Sequence, residues 1–254
     1  MLNRYFLQLS YLGTNYNGWQ LQENTPDTVQ QQLNMNLSKV LGEEIETLGC
    51  GRTDTGVHAR EFYAHFDSKR DDLHRDPRQW LYKFNVVLPH DMAVQQIIPV
   101  KPDAHARFHA VSRTYEYIIS RKKDPMMINR AYYFYGALDM NKMKEAAAIL
   151  FEYHDFSCFS KSNTQVKTTN CKMIRAEWVE EKDLLKFVVT ADRFLRNMVR
   201  AMLGTLLEVG QGKISPEDFR KIIQSKNRSD AGFSVPAEGL YLTKVEYPEN
   251  YFEK

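Results

Sequence analysis

The stretch GRTDTGVHA, residues 51–59, is the most informative part of this 254-residue chain. It places a single carboxylate, Asp54, between two glycines, with Arg52 before it and His58 after it. Glycine lets a backbone turn tightly and lets another molecule approach closely. The pattern predicts a loop that can direct Asp54 into a cleft, although an isolated Asp-Thr-Gly more often only caps a turn.

Strand and helix patterns surround this loop in the first half of the chain. Strands are predicted at residues 5–11, 45–50, 62–66 and 92–100, and short helices are predicted to start near Thr25 and after Pro77. In the first of these helices, Val29, Leu33 and Leu37 recur at helical spacing, and Gly42 is placed to end it. The loop around Asp54 is therefore expected to lie between two strands.

A second series of elements begins near Arg113. Strands are predicted at residues 114–120, 132–135, 173–179, 184–190 and 239–247, and helices at residues 139–150, at residues 194–209 and from Ser215 onward. The charged turn at residues 180–183 predicts a hairpin. Ser215-Pro216-Glu217-Asp218 has the pattern of a capping box.

Each half mixes strands with a few helices, which predicts the α+β class: two similar lobes around a mixed, largely antiparallel sheet. The N-terminal lobe is expected to cover residues 1–105 and to carry the Asp54 loop. The C-terminal lobe is expected to cover residues 106–254. The join contains no Pro-, Ser- or Gly-rich linker, so rigid packing of the lobes is expected.

Composition narrows the class of protein further. Hydrophobic residues make up 43% of the chain and charged residues 26%, as in ordinary globular proteins. No stretch approaches the ~18 apolar residues of a membrane span, and the N-terminus does not resemble a signal peptide. Cys50, Cys158 and Cys171 form no C-x-x-C pair, which argues against a disulfide framework and a zinc site. A soluble cytoplasmic protein without membrane attachment or metal is expected.

The loop also partly matches two other motifs. Gly49 and Gly51 superficially begin a dinucleotide fingerprint, but Asp54 replaces the third glycine and a strand follows where a helix is required. Asp54-Thr55-Gly56 also matches the triplet of aspartic proteases, which need two carboxylates that share a proton. This chain has one triplet, so a protease would have to dimerise, and Arg52 and His58 are cationic flanks where an apolar strand is expected.

Residues 51–59 resemble the catalytic loop of the bacterial tRNA pseudouridine synthase A family. Five further stretches resemble that family in the same order: Tyr16-x-Gly18-Trp19-Gln20, Ala106-Arg107-Phe108 with Arg113-x-Tyr115-x-Tyr117, and residues 154–159, 194–200 and 238–242. Six collinear matches across residues 4–248 make the resemblance specific. It implies the pseudouridine synthase fold and an isomerase that converts uridine to pseudouridine at positions 38, 39 and 40 of tRNA, in the anticodon stem-loop.

The resemblance also implies roles for five residues. Asp54 is expected to be the catalytic nucleophile, with attack on the sugar, attack on the base and removal of a sugar proton left open. Arg200 is expected to keep the carboxylate ionised, and Tyr115 to stack on the extruded uracil. Arg52 is expected to enter the space of the extruded base or to bind its phosphate, and Leu240 to line the uracil pocket.

A net charge of +2 is too small to indicate nucleic-acid binding by itself. A chain with this charge that binds RNA must concentrate its positive charge locally, so phosphate contacts are expected from clusters of basic residues. Arg193, Arg196 and Arg200 are spaced to share one face of the predicted helix at residues 194–209. The other candidates are Arg121 and Lys122, and the lysines of a polar loop, Lys161, Lys167 and Lys172.

The partners implied by the resemblance are tRNA and a second copy of the chain, with no nucleotide cofactor and no other cofactor. The main alternative from another class is an RNA-binding module without catalytic activity, which the α+β pattern and the strand aromatics would also suit.

Overall fold

The computed structural model describes residues 2–161 and 168–252. The strands are β1 (Asn3–Tyr11), β2 (Leu48–Gly49), β3 (His58–Ser68), β4 (Met92–Pro99), β5 (Ser112–Ser120), β6 (Tyr132–Tyr133), β7 (Met173–Glu181), β8 (Leu184–Ala191) and β9 (Leu240–Glu246). The helices are α1 (Val29–Leu41), α2 (Pro77–Val87), α3 (Met140–Ile149), α4 (Met198–Gly210) and α5 (Pro216–Ser225). The mixed sheet structure with five helices among the described residues confirms the predicted α+β class.

The chain divides into two compact units, Met1–Val111 with Tyr241–Lys254, and Ser112–Leu240. This differs from the expected lobes of residues 1–105 and 106–254, because the last strand returns to the first unit. There β9 pairs in parallel with the start of β3, in the register His58 to Tyr241. Val111 also donates its backbone N–H to the Glu246 carbonyl over 2.8 Å. Sequence pattern predicts a strand but not its distant partner.

The first unit is built around β1, which pairs antiparallel with β3 on one side and with β4 on the other. The short β2 also pairs antiparallel with β3. The consecutive residues Phe6 and Leu7 of β1 are both fully buried, so both faces of this strand are covered there, since successive side chains point to opposite faces. The loop that carries Asp54 connects β2 to β3, so it starts and ends on paired strands.

In the second unit, β8 pairs antiparallel with both β5 and β7, and β6 pairs in parallel with β5. The predicted hairpin between β7 and β8 is present, with Lys182 in the left-handed conformation at its turn. Helix α4 is buried on nearly its whole circumference: all of its residues except Arg200 and Glu208 are buried.

Local signals set most helix ends. Gly42 ends α1 with a φ of 70°, as predicted, and Ser215 and Asp218 form the predicted capping box of α5. The predicted start of α1 near Thr25 is wrong by a few residues: Thr28 is the N-cap, and its hydroxyl accepts the Gln31 N–H over 3.2 Å.

The predicted helix at residues 194–209 is wrong at its N-terminal end. Asn197 has a φ of 65°, a left-handed conformation that an α-helix does not contain, and α4 begins at Met198. Arg193 and Arg196 therefore lie in the connection after β8, and they do not share a helix face with Arg200. The apolar spacing continued into this connection because Leu195 is buried there without being helical.

No helix in residues 2–161 or 168–252 combines the length and the apolar character that crossing a membrane requires.

His65 lies in the core of the first unit among other aromatic rings. Its ring stacks on Phe6 with 5.8 Å between centroids and lies 4.7 Å from the ring of His105. Its Nδ1 accepts the Ala106 N–H over 3.2 Å. Burial, followed by the nearby positive groups of His105 and Arg4, lowers the pKa of His65 from 6.5 to about 4. The folded protein therefore holds His65 neutral at a pH where the unfolded chain binds a proton.

We expect the free energy of unfolding to fall by about 1–2 kcal/mol between pH 7 and pH 5 because of His65. A folded-state pKa below the unfolded value gives stability that is lost as the pH falls from 6.5 toward 4. Urea denaturation at both pH values would measure this loss in the wild type and in His65→Asn, which cannot titrate. The variant should lose less; an equal loss would contradict the assignment. His105, whose pKa is also lowered by burial, contributes in both proteins.

Candidate active site

Asp54 lies at the turn of the connection between β2 and β3, which we call the Asp54 loop (residues 50–57). Val57 donates its N–H to the Asp54 carbonyl over 3.1 Å, and this bond closes the turn. Gly56 has a φ of 80°, which glycine adopts without strain. Asp54 is half-buried between the buried Thr53 and the exposed Thr55. The loop thus holds a carboxylate at the boundary between core and solvent, where a ligand can reach it.

The segment between β1 and α1, residues 12–19, is called the first loop. It holds the Asp54 loop through hydrogen bonds between the two backbones. Trp19 donates its N–H to the Thr53 carbonyl over 3.1 Å, and Gly56 donates its N–H to the Tyr16 carbonyl over 3.3 Å. Tyr11, just before the first loop, shares a buried hydrogen bond of 2.9 Å with the Thr53 hydroxyl. These contacts flank Asp54 on both sides, so its backbone position is set by a segment about 40 residues away.

Gly18 allows the two loops to approach this closely. It has a φ of 85°, and a Cβ atom at this position would lie 2.5 Å from the Thr53 carbonyl oxygen. Carbon and oxygen atoms do not approach to that distance without displacement of the backbone. The sequence predicts a loop at this segment, but its glycines are not among the predicted functional residues. Their signal was the pair Gly13 and Gly18 between a strand and a helix.

Arg52 belongs to the Asp54 loop and is exposed. Its Nε donates to the Gln20 side-chain oxygen over 3.1 Å, so two separate stretches that resemble the family, residues 16–20 and 51–59, are in contact here. A guanidinium on the exposed side of the loop can contact a phosphate or an approaching base.

His58 is not the cationic flank that the sequence indicated. Its side chain is fully buried, and its Nδ1 accepts the Gly13 N–H over 2.9 Å. A ring nitrogen that accepts a hydrogen bond carries no proton, so the imidazole is neutral. Its ring also contacts the ring of Tyr241, with 4.6 Å between centroids.

Tyr115 and Tyr117 project from β5 in the second unit. Tyr115 is half-buried, and its ring meets the ring of Phe194 edge-on, with 5.2 Å between centroids. Tyr117 is fully buried and donates its hydroxyl to the Pro236 carbonyl over 2.8 Å, and burial raises its pKa. Tyr115 is therefore the one of the two with aromatic surface accessible to a ligand.

Arg200 lies in the first turn of α4 and is half-buried. Its Nε donates to the Val235 carbonyl over 2.8 Å, and Val235 donates its N–H to the Arg200 carbonyl over 3.2 Å. These bonds fix the direction of the side chain. Arg196, four residues earlier, is exposed, while Arg193 is half-buried.

Leu240 is buried at the start of β9. It follows Gly239, where a Cβ atom would lie 2.7 Å from the Ile118 carbonyl oxygen. Its burial is compatible with a pocket wall and with a place in the core.

The two candidates near residue 121 differ in exposure. Arg121 is partly buried: its guanidinium lies 5.5 Å from the ring centroid of Phe134 and donates to the Gly136 carbonyl. Its Nη1 is buried and has no hydrogen-bond partner among the described residues. Lys122 is exposed. Of the loop lysines, Lys161 and Lys172 are exposed, and Lys167 lies outside the described residues.

Among the described residues, no group of three or more His, Cys, Asp and Glu side chains is arranged to hold a metal ion. All three cysteines are buried and free, and burial raises the pKa of Cys158 and Cys171 to about 12. At neutral pH these two thiols are protonated and unreactive.

The fold and the site define an α+β protein whose candidate catalytic group is one carboxylate, on a loop held by backbone hydrogen bonds. Comparison with known proteins supplies the family. A family model described as tRNA pseudouridine synthase matches residues 146–248. The tRNA pseudouridine synthase A of Bacteroides fragilis is 49% identical over 253 residues, which cover 99% of each chain.

Two further relatives have the same name. The protein of Bacteroides thetaiotaomicron is 49% identical, over 100% of this chain and 94% of its own length. That of Clostridium acetobutylicum is 40% identical, over 95% of this chain and 98% of its own length. The chain therefore belongs to the tRNA pseudouridine synthase A family, and the expected isomerase class is confirmed. The relatives extend over the Asp54 loop, which lies outside the family model.

We expect Gly18→Ala to destabilise the protein more than Gly42→Ala. Both glycines have a positive φ, but the added Cβ meets nothing within 4 Å at Gly42 and meets the Thr53 carbonyl at Gly18. Gly42→Ala should cost about 1 kcal/mol for its backbone conformation, and Gly18→Ala should cost a further 1–3 kcal/mol or so for the overlap. Urea denaturation of both variants measures the difference. Equal losses would mean that the two loops do not pack as described.

Proposed function

We propose that this protein isomerises uridine to pseudouridine at positions 38, 39 and 40 of tRNA, in the anticodon stem-loop, with Asp54 as the nucleophile. The observation that carries the proposal is the half-buried carboxylate on a loop whose backbone is held on both sides. The name shared by the relatives and the resemblance of residues 51–59 to the family's catalytic loop support the substrate and the residue.

The reaction requires one bond to break and one to form. The bond between ribose C1′ and uracil N1 breaks, the uracil rotates, and C1′ bonds to C5, from which a proton is then lost to solvent while N1 gains one. The product is an isomer of the substrate, so there is no net oxidation or reduction. A carboxylate can serve as the nucleophile or base, and a preorganised backbone keeps it aligned with the reacting atoms.

The other site residues complete the proposal. Tyr115 stacks on the extruded uracil, which offsets the stacking lost on leaving the RNA helix. Arg52 enters the space of the extruded base or binds its phosphate. Leu240 lines the uracil pocket. Arg200 keeps the Asp54 carboxylate ionised, a role that rests on the family resemblance.

Contacts to the RNA backbone come from the basic residues Arg193, Arg196 and Lys122. The exposed Arg196 and Lys122 are the stronger candidates, because a phosphate contact needs a side chain that solvent reaches. Arg121 is the weakest, because its guanidinium is engaged with Gly136 and Phe134. A homodimer acting in the cytoplasm, which is also part of the proposal, would present a wider basic surface than one chain with a net charge of +2.

We expect Asp54→Ala to abolish the release of tritium from uracil C5 of labelled, unmodified tRNA, with a loss on the order of 10⁴-fold or more. The control is Asp71→Ala, which removes a carboxylate that pairs with Arg75 on the surface and should release tritium like the wild type. Release by Asp54→Ala at the wild-type rate would refute the assignment of the nucleophile. If the wild type binds tRNA but releases no tritium, the protein is an RNA-binding module.

We expect Arg200→Ala to impair turnover and Arg196→Ala to impair tRNA binding. Arg200→Ala should lower turnover at least about 10-fold while the Kd for tRNA stays within about 2-fold, because its proposed partner is the reacting carboxylate. Arg196→Ala should weaken binding, keep turnover at saturating tRNA, and reduce the slope of log K against log salt by about 1.

Filter binding across a salt series and single-turnover tritium release would separate these two effects. Parallel losses of binding and turnover in Arg200→Ala would argue against its catalytic role. An unchanged salt slope in Arg196→Ala would remove it from the phosphate contacts.

A further inference from the structure

His58 has a structural role that the family motif does not explain. It is the first residue of β3, directly after the Asp54 loop, and its side chain has no solvent-accessible surface. Its Nδ1 accepts the Gly13 N–H over 2.9 Å. A buried histidine with an accepting nitrogen is a specific partner, since few side chains can offer a lone pair at that place.

Gly13 fits against the same part of the chain. A Cβ atom on Gly13 would lie 2.0 Å from the Val57 carbonyl oxygen and 2.6 Å from the Val57 carbonyl carbon. The backbone of the first loop therefore begins in direct contact with Val57, and the bond to His58 holds it there. The ring of His58 is itself supported by Tyr241, its register partner in β9.

The first loop then carries this constraint to Asp54. Beyond Gly13, the Tyr16 carbonyl of this loop accepts a hydrogen bond from the Gly56 N–H, and Trp19 donates its N–H to the Thr53 carbonyl. Gly56 and Thr53 stand on either side of Asp54. A displacement of the first loop at Gly13 would thus be transmitted to both backbone anchors of the carboxylate.

We propose that His58 is a positioning residue for the reaction: its neutral imidazole holds the start of the first loop, and the first loop holds Asp54. The inference rests on the proposed function of Asp54 and assigns His58 no contact with the substrate. Removing the accepting nitrogen leaves the Gly13 N–H without its partner and frees the loop to move. A misplacement of about 1 Å can lower a rate by about 100-fold.

The test compares substitutions at His58 with a matched one at His65. His65 lies in the same strand, is also buried, and also accepts a backbone N–H at Nδ1, from Ala106 over 3.2 Å. Its ring contacts His105, Ala106 and the backbone of Leu48 in β2, and its Nδ1 accepts from Ala106 rather than from the first loop. His65→Leu therefore reports what the loss of a buried, accepting histidine from β3 does when the bond between His58 and Gly13 is kept.

We expect His58→Leu to lower kcat for tritium release by about 10- to 100-fold, with KM for tRNA within about 3-fold. His58→Asn should recover most of the loss, because its side-chain oxygen can stand near the place of Nδ1, whereas His58→Gln, whose polar end lies near the place of Nε2, should not. His65→Leu should lower Tm but keep kcat. All rates are measured well below Tm, per mole of protein that circular dichroism reports as folded.

The proposal is overturned if His58→Leu keeps the wild-type kcat, or if His65→Leu loses as much kcat as His58→Leu. If His58→Leu does not fold, the comparison of His58→Asn with His58→Gln decides, and equal kcat values in these two overturn it. Asp54→Ala is assayed beside them. Activity in Asp54→Ala overturns the proposed function itself, whereas an inactive Asp54→Ala with a fully active His58→Leu overturns only the role of His58.

Discussion

Trp19 donates its N–H to the Thr53 carbonyl, and Gly18 lies against the same carbonyl. This contact joins two segments of the first unit that are more than 30 residues apart, and the position of Asp54 depends on it. A carboxylate on an isolated loop would sample many orientations, and each reaction would have to select the correct one at an entropic cost. Here the backbone hydrogen bonds order the loop when the protein folds, so binding a ligand does not have to order it.

The constraint explains why glycine and histidine surround the acid. Gly13 and Gly18 leave room for backbone against backbone, and a side chain at either would separate the loops. His58 supplies an acceptor in a place that water does not reach. A buried N–H without a partner would cost free energy, so the imidazole serves the stability of the loops as well as their alignment. His58 therefore supplies no positive charge beside the Asp54 loop.

The second unit shows how far local patterns predict structure. Strands β5, β7 and β8 occupy the predicted regions, because runs rich in aromatic and β-branched residues favour a strand whatever its partners are. The predicted shared helix face of Arg193, Arg196 and Arg200 is wrong for a related reason. Leu195 continues the apolar spacing of α4, but Asn197 breaks the helix with a left-handed residue. Burial and helical conformation are separate properties, and the pattern reports only burial.

The sequence by itself determined the α+β class, most of the strands and helices, the family, and Asp54 as the candidate acid. These follow from short-range spacing and from a motif of nine residues. Only the tertiary structure decided that β9 returns to the first unit, that His58 is a neutral acceptor for Gly13, and that Arg121 packs under Phe134. The first two contacts join residues that are far apart in the chain, and the third joins the residue after β5 to the residue after β6. They depend on which surfaces meet when the chain folds, and spacing along one segment carries no information about its partner.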